Sequence, residues 1–292
     1  MNILSFDIEE WFIEKAYFGA KESKYAEYDR LLEEVLEVLS QKEIKGTFFC
    51  VGKMATEFPH VVNKIANSGH EIGCHSNTHQ WLNKMSYDQA MENTYVAVDS
   101  LEQCIGKKIK SYRAPAFSIG SGNKWAFEVL AANGITCDAS VFPASRDFGG
   151  FPEFSKMEPS IVRYNGIDIH EYPIVTARVL GKEIAYSGGG YFRFFPYSFV
   201  EKELKSATYS MTYFHMGDLH PVYDGVMTKE DYERYFNEPG SIKARYLRYI
   251  KSNLGVSGNK KKLFRLINNM SFLDISSADD RIDWSIAPVV NL

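Results

Sequence analysis

His75 and His79 stand four residues apart in GHEIGCHSNTH, and two imidazoles at that spacing suit a single divalent ion. Read as one helical turn after a strand, the run from His75 to His79 projects both rings from one face. Carboxylates that would complete such a site lie near the N-terminus, in Asp7-Ile8-Glu9-Glu10. At a strand end, residues i and i+2 share a face, so Asp7 and Glu9 point together. Hydrolytic zinc sites join two His to one carboxylate and keep a position for water, whose pKa the metal lowers to about 7. A second carboxylate beside that water serves as general base. Glu10 replaces Glu9 as ligand if the strand end is irregular. Each motif alone has a plainer reading, HxxxH as capping or surface histidines and DxEE as a solvated acidic turn. Their coincidence points to chemistry.

Three further groups follow later strand-like runs: Arg113 in YRAPAFSI, Asp138 in CDASVFP and His215 in YFHMGDLHP. Taken singly, Arg113 reads as a surface ion-pair residue and His215 as a satisfied histidine. Strand ends that converge on one barrel mouth would bring them to the metal as an orienting cation and an acid. His215 directly follows the apolar run 211–214, whereas His220 lies beyond a Gly-Asp turn and precedes Pro221, so His215 is the better placed acid.

The elements that must position these groups alternate in the manner of repeated β-α units around a parallel sheet. Residues 2–8 open as a strand, and 25–43 carry Leu31, Leu32, Val35, Leu36 and Leu39 at helical spacing. Strands are expected at 46–52, 70–75, 110–114 and 135–139. Helices are expected at 59–68 from Pro59 to the stop at Gly69, at 86–105 and at 123–133. Residues 140–195, rich in Gly, Pro and aromatics, read as long loops and irregular strands. Residues 241–270 read as two helices around a turn at 255–259.

Composition narrows the partners. A net charge of −4 and a pI near 6.0 give no broad cationic field, which excludes nucleic acid. Residues 1–12 carry three carboxylates where a secretory leader needs an apolar stretch, and no segment reaches the ~18 apolar residues of a membrane span. A cytoplasmic chain with no stable membrane insertion is expected. Cys50, Cys74, Cys104 and Cys137 form no paired ligand motif and read as small buried hydrophobes rather than a disulfide framework. The basic run Lys260, Lys261, Lys262 and Arg265 reads as a solvated helical face in preference to a lipid contact.

In order along the chain, SFDIEEWF, GTFFCVG, GHEIGCHSNTH, YRAPAFSI, CDASVFP, GGGYFRFFPY and YFHMGDLHP resemble the motifs of the polysaccharide deacetylase family with the NodB-homology domain, in the branch with a DVED-type first motif. The resemblance implies a distorted (β/α) barrel of about seven strands over residues 1–225, with residues 226–292 as a C-terminal helical extension. It implies Asp7 as general base, Glu9, His75 and His79 as ligands of a divalent metal, expected to be Zn2+, and Arg113 as the cation that fixes and charges the base. His215 would be the general acid with Asp138 orienting it, and the backbone amide of Phe117 would help bind the oxyanion. Ile8 stands where most relatives carry a second Asp, so Glu9 must serve as ligand. The function implied is removal of an N- or O-linked acetyl group from a carbohydrate, here a lipid- or nucleotide-linked precursor of a surface polysaccharide. The alternatives are a deformylase or amidohydrolase acting on a small non-polymeric substrate, and a sugar-binding protein that kept the fold without the chemistry.

Overall fold

The computed structural model describes residues 1–145, 149–179, 181–221, 225–236 and 238–292. Its strands are β1 (Asn2–Ile3), β2 (Ser5–Ile8), β3 (Thr47–Cys50), β4 (Glu71–Cys74), β5 (Ser111–Tyr112), β6 (Cys137–Asp138), β7 (Ser160–Tyr164), β8 (Ile167–Glu171), β9 (Thr176–Val179), β10 (Lys182–Ala185), β11 (Ser210–Met211), β12 (Phe214–His215) and β13 (Val289–Asn291). The main sheet runs β12-β2-β3-β4-β5-β6-β8-β7-β13, and its first seven strands are mutually parallel. This is the barrel-like α/β architecture of about seven strands that the motifs imply. Strand β7 then joins antiparallel, and β9 and β10 form a separate hairpin within the irregular 140–195 stretch.

The helices are α1 (Glu10–Tyr17), α2 (Glu22–Gln41), α3 (Gly52–Glu57), α4 (Pro59–Asn67), α5 (Tyr87–Ile105), α6 (Ala126–Ala132), α7 (Gly189–Phe194), α8 (Tyr197–Ser206), α9 (Lys229–Phe236), α10 (Ile242–Asn253), α11 (Asn259–Asn269) and α12 (Ile275–Asp279). Their ends follow local chemistry. Pro59 opens α4, and α5 starts in a reciprocal Ser86–Gln89 capping box and stops at Gly106, whose φ is +67°.

Strands such as TFFC in β3 are buried on both faces, as a covered parallel sheet requires. Alternate residues divide the core in two. Phe6, Ile8 and Phe48 pack with Leu31, Leu32, Val35 and Leu101 of the surrounding helices. Phe49, Cys137, Tyr172, Met211 and Tyr213 face the other way, with Ile275 and Ala278 of α12. Gly73 is what makes room there, since a Cβ on it would stand 2.5 Å from the Phe49 ring.

The C-terminal segment is not only helical. Val289–Asn291 returns as β13 beside β7, so the extension expected for 226–292 is stitched into the sheet. Helix α12 lies at the starts of β3 and β4, where the Ile275 amide donates to Thr47 Oγ1 and the Ser276 amide to Glu71 Oε2. That leaves the opposite, C-terminal strand ends for the site. The basic run on α11 is partly solvated: Lys261 and Arg265 are exposed, with Arg265 lying over Tyr197, whereas Lys260 pairs with Glu34 and Lys262 donates to the Phe192 and Phe195 carbonyls.

Candidate active site

Strand β2 carries Asp7 inward and ends at Ile8, which leaves Glu9 at the start of α1. Strand β4 ends at Cys74, delivering His75, and β5 ends at Tyr112, delivering Arg113. Glu9, His75 and His79 bring three donor atoms within 4.8 Å of one another. Oε2 of Glu9 lies 2.6 Å from Nε2 of His79 and 3.4 Å from Nε2 of His75.

The two histidines converge by a different route from the helical turn expected. Residues 75–80 form a bend, with Ser76 and His79 at φ +59° and +57°. The bend is pinned because the Gly52 and Lys53 amides donate to the Ser76 and Asn77 carbonyls, and the Asn77 amide donates to Asn93. Tertiary hydrogen bonds thus hold a left-handed backbone that these residues would not adopt unaided.

Nδ1 of His75 donates to the Arg113 carbonyl across 2.7 Å. That fixes the tautomer and turns an Nε2 lone pair toward Glu9, whose Oε2 is buried without a hydrogen-bond partner. Two lone-pair atoms facing each other in a buried site can be joined by a shared cation. The donor set therefore fits a divalent ion. Burial alone would raise the Glu9 carboxyl, but His79 and then His75 hold it well below the usual carboxylate range. Glu10 turns away, accepting from the Gly217 amide at 2.7 Å, and burial together with Glu9 pushes it up to about 7. Glu9 is thus the carboxylate of the donor set, and Glu10 braces the turn after β12.

Asp7 is buried beside this cradle and accepts from Arg113 Nη1 at 2.8 Å. Burial works to raise its carboxyl, yet Arg113, His75 and His215 together bring it below its ordinary value. Arg113 is itself fully buried, donates to the Ala139 carbonyl and lies 4.3 Å over the Phe49 ring. On the other side, Nε2 of His215 stands 3.6 Å from Asp7 Oδ2.

The partner of His215 is Asp218, not the expected Asp138. Nδ1 of His215 lies 3.1 Å from Asp218 Oδ2, which also accepts from the His215 amide. Burial opposes the imidazolium, but Asp218, Glu9 and Asp7 outweigh it and raise His215 to about 10. Asp138 instead accepts from Ser140 at 2.5 Å and sits in register with Glu171 on β8. Their Oδ2 and Oε2 atoms are buried without a hydrogen-bond partner, and burial together with Asp138 pushes the Glu171 carboxyl well above its ordinary value. This pair braces Ser140, which in turn accepts from the Ala114 amide.

Sequence reasoning did not single out Asp218, Arg193 or Glu171. Asp218 is three residues from His215 in HMGDLH, a capping spacing visible in hindsight. Arg193 comes from GGGYFR: it sits 3.7 Å from Asp218 Oδ1 and donates to the Lys251 and Ser252 carbonyls at the end of α10. The glycines are needed for this approach, since a Cβ on Gly188 would fall 2.0 Å from the Tyr213 carbonyl. His220 pairs with Glu27 away from the cleft. The Phe117 amide expected for the oxyanion is engaged with the Ala114 carbonyl at 3.0 Å, in a tight turn where Ala116 and Phe117 have φ near +55° and +53°.

Asp7, Glu9, His75, His79, His215 and Asp218 line one cleft of about 700 Å³. A second set of metal-type donors, Cys137, His170 and Asp279, has its hydrogen bonds made internally: Asp279 accepts from His170 and Tyr172, and His170 stacks on Trp284 at 3.6 Å. It joins α12 to β8.

Fold and site together define a barrel-like α/β protein with a cleft lined by acidic and histidine side chains. Residues 25–137 match the polysaccharide deacetylase family model, and residues 139–279 match a model described as a domain of unknown function, DUF3473. Over residues 25–137 the chain is thus similar to the polysaccharide deacetylase family. A peptidoglycan-N-acetylglucosamine deacetylase of Bacillus cereus is 36% identical over 95 residues, 32% of this chain and 34% of that protein. The uncharacterized protein YlxY of Bacillus subtilis is 33% identical over 100 residues, 34% of this chain and 30% of that protein. The chain spans about a third of the length of these relatives. A solved structure from Mycobacterium smegmatis, assigned as a polysaccharide deacetylase, shares the fold with a TM-score of 0.64 at 15% identity, covering 100% of this chain and 92% of that one.

Proposed function

We propose that this chain is a metal-dependent hydrolase that removes an N- or O-linked acetyl group from a carbohydrate. The observation that carries this reading is the convergence, in one cleft, of the Glu9–His75–His79 cradle with the Arg113-held Asp7 and the Asp218-held His215. Two imidazoles and one carboxylate would hold the ion, and that donor set favours Zn2+. When bound there, the ion supplies Lewis-acid polarisation of the acyl carbonyl and lowers the pKa of water.

Asp7, kept ionised by Arg113, accepts a proton from the attacking water. His215, kept protonated by Asp218, donates a proton to the departing amine or alcohol. Base and acid stand 3.6 Å apart and line the same cleft, so both can reach one reacting centre there. Arg113 and Asp218 act as positioning residues. Opening of the Phe117–Ala114 turn would free a backbone donor for the developing oxyanion.

The cleft wall suits sugar rings. Trp81, Tyr191, Phe194 and Tyr213 line it, and Trp81 also lines an adjoining hollow of about 500 Å³ with Trp125, Asn83 and Asn123. Space beyond one ring favours a glycan over a small amide. Within that class the proposed substrate is a cytoplasmic precursor of a surface polysaccharide carried on a lipid or a nucleotide. Acetate release from acetylated oligosaccharides, by metal-loaded protein but not by its Asp7→Asn variant, tests the reading.

A further inference from the structure

Helix α10 presents its apolar residues outward. Ile242, Tyr246, Leu247, Ile250 and Leu254, over and just beyond its length, are between 47% and 67% exposed, and no residue of the helix is buried. Its polar side is turned inward instead. Arg245 donates to the Met227 carbonyl, Arg248 lies 4.2 Å over the Phe236 ring, and the final turn is held by Arg193. A helix in water normally places these two faces the other way round.

The exposed face is also basic. Lys243 stands among the apolar residues and Lys251 at the edge of their row, the helix contains no acid, and among the described residues neither lysine has an ion-pair partner. The whole chain carries −4, so this is a local cationic strip on an acidic protein. The lysines of α11 differ, since Lys260 and Lys262 are tied down within the molecule. At its C-terminal end α10 reaches the cleft: Lys251 and Ser252 line it together with Phe194, which is 52% exposed.

We propose that the outer face of α10, extended by Phe194, docks this chain onto an anionic membrane surface and so presents the cleft to a carbohydrate held there on a lipid. Apolar side chains interspersed with lysines are the composition of an interfacial helix, whose lysine stems enter the headgroup boundary while the ammonium groups stay among the phosphates. A second copy of the same face would set lysine against lysine, which charge complementarity disfavours. The substrate clause rests on the hydrolase reading; the docking itself does not.

Co-sedimentation of the full chain with phosphatidylcholine vesicles, with and without phosphatidylglycerol, tests this. Each surface lysine contributes about fivefold, so Lys243 and Lys251 predict roughly 25-fold tighter binding to the anionic vesicles. At about 1 M salt, where the screening length is about 3 Å, that preference should vanish. Leu247→Asn/Ile250→Asn should lose vesicle binding at least tenfold, yet hydrolyse a short water-soluble acetylated oligosaccharide at the parent rate. Equal binding to both vesicle types, or undiminished binding by the double variant, overturns the proposal. So does a concentration-dependent dimer that the double variant dissociates in the absence of lipid. Failure of the parent chain to turn over soluble substrates would instead sink the hydrolase reading and leave vesicle binding as a separate result.

Discussion

Arg113 is bonded to His75 through its carbonyl at 2.7 Å and to Asp7 through its guanidinium at 2.8 Å, so one residue touches both the proposed ligand and the proposed base. The two bonds can be separated, because only the second depends on the side chain. Arg113→Met should keep the donor cradle but leave a buried, unpaired Asp7, at a cost of about 3–5 kcal/mol in stability. Adding Asp7→Leu should recover much of that loss. Urea denaturation of both variants checks it; a double variant no more stable than Arg113→Met would show that the pair is not the source.

Metal retention should separate Glu9 from Glu10. His75→Ala and Glu9→Gln should each weaken zinc binding by ~10²-fold or more, the scale of losing a ligand or its orientation. Glu10→Gln should keep the metal, since its carboxylate faces Gly217. Elemental analysis after dialysis against a weak chelator decides. Stoichiometric zinc in His75→Ala would remove it from the ligand set.

The acid limb of the mechanism follows from Asp218. His215 is raised to about 10, and a general acid works only while protonated, so turnover should fall as pH rises through that pKa. A cation at Glu9 offsets part of the carboxylates' pull and places the limb lower. Asp218→Asn should move it down by roughly one to two further units, whereas Asp138→Asn should leave its position unchanged. His215→Ala should lose ~10²-fold or more on amides and recover partly on esters with good leaving groups. An unmoved limb in Asp218→Asn would separate Asp218 from the acid.

Stability has its own pH dependence at His70. Burial first, then Lys45, push this imidazole down to about 4 from an ordinary 6.5. As pH falls below 6.5 the unfolded chain takes up the proton before the folded one does. The stabilisation is therefore full above about 6.5 and lost down to about 4, by roughly 3 kcal/mol. His70→Asn should flatten that slope in acid denaturation. A slope equal to the parent's would assign it to other groups.

Much of this was legible in the residues themselves. The apolar run at 46–52 and the short segment 70–75 that follows Gly69 announced buried parallel strands, and Pro59, Gly69 and Ser86 marked helix ends within a residue or so. Asp7, Glu9, His75, Arg113 and His215 meet because each lies within one residue of the C-terminal end of a barrel strand. Where tertiary contacts override local pattern, the reading failed. The His75–His79 bend is held by α3 amides and Asn93, so spacing suggested a helical turn that does not exist. Asp138 was paired with His215 by analogy, whereas the short reach from Asp218 and the buried Glu171 opposite Asp138 decide otherwise. The return of β13 to the sheet lies 125 residues or more from its partner β7, too distant for local pattern to show.

The central claim is that Glu9, His75 and His79 hold an ion without which this chain cannot release acetate. The direct measurement is acetate released from an acetylated oligosaccharide by chelator-stripped protein before and after stoichiometric zinc is restored, with Asp7→Asn treated identically. The account predicts negligible release when stripped, recovery on restoring one zinc per chain, and a restored Asp7→Asn that binds zinc yet falls ~10²- to 10⁴-fold short. Full activity in the stripped protein, or none from the zinc-loaded parent on any acetylated glycan, would contradict it.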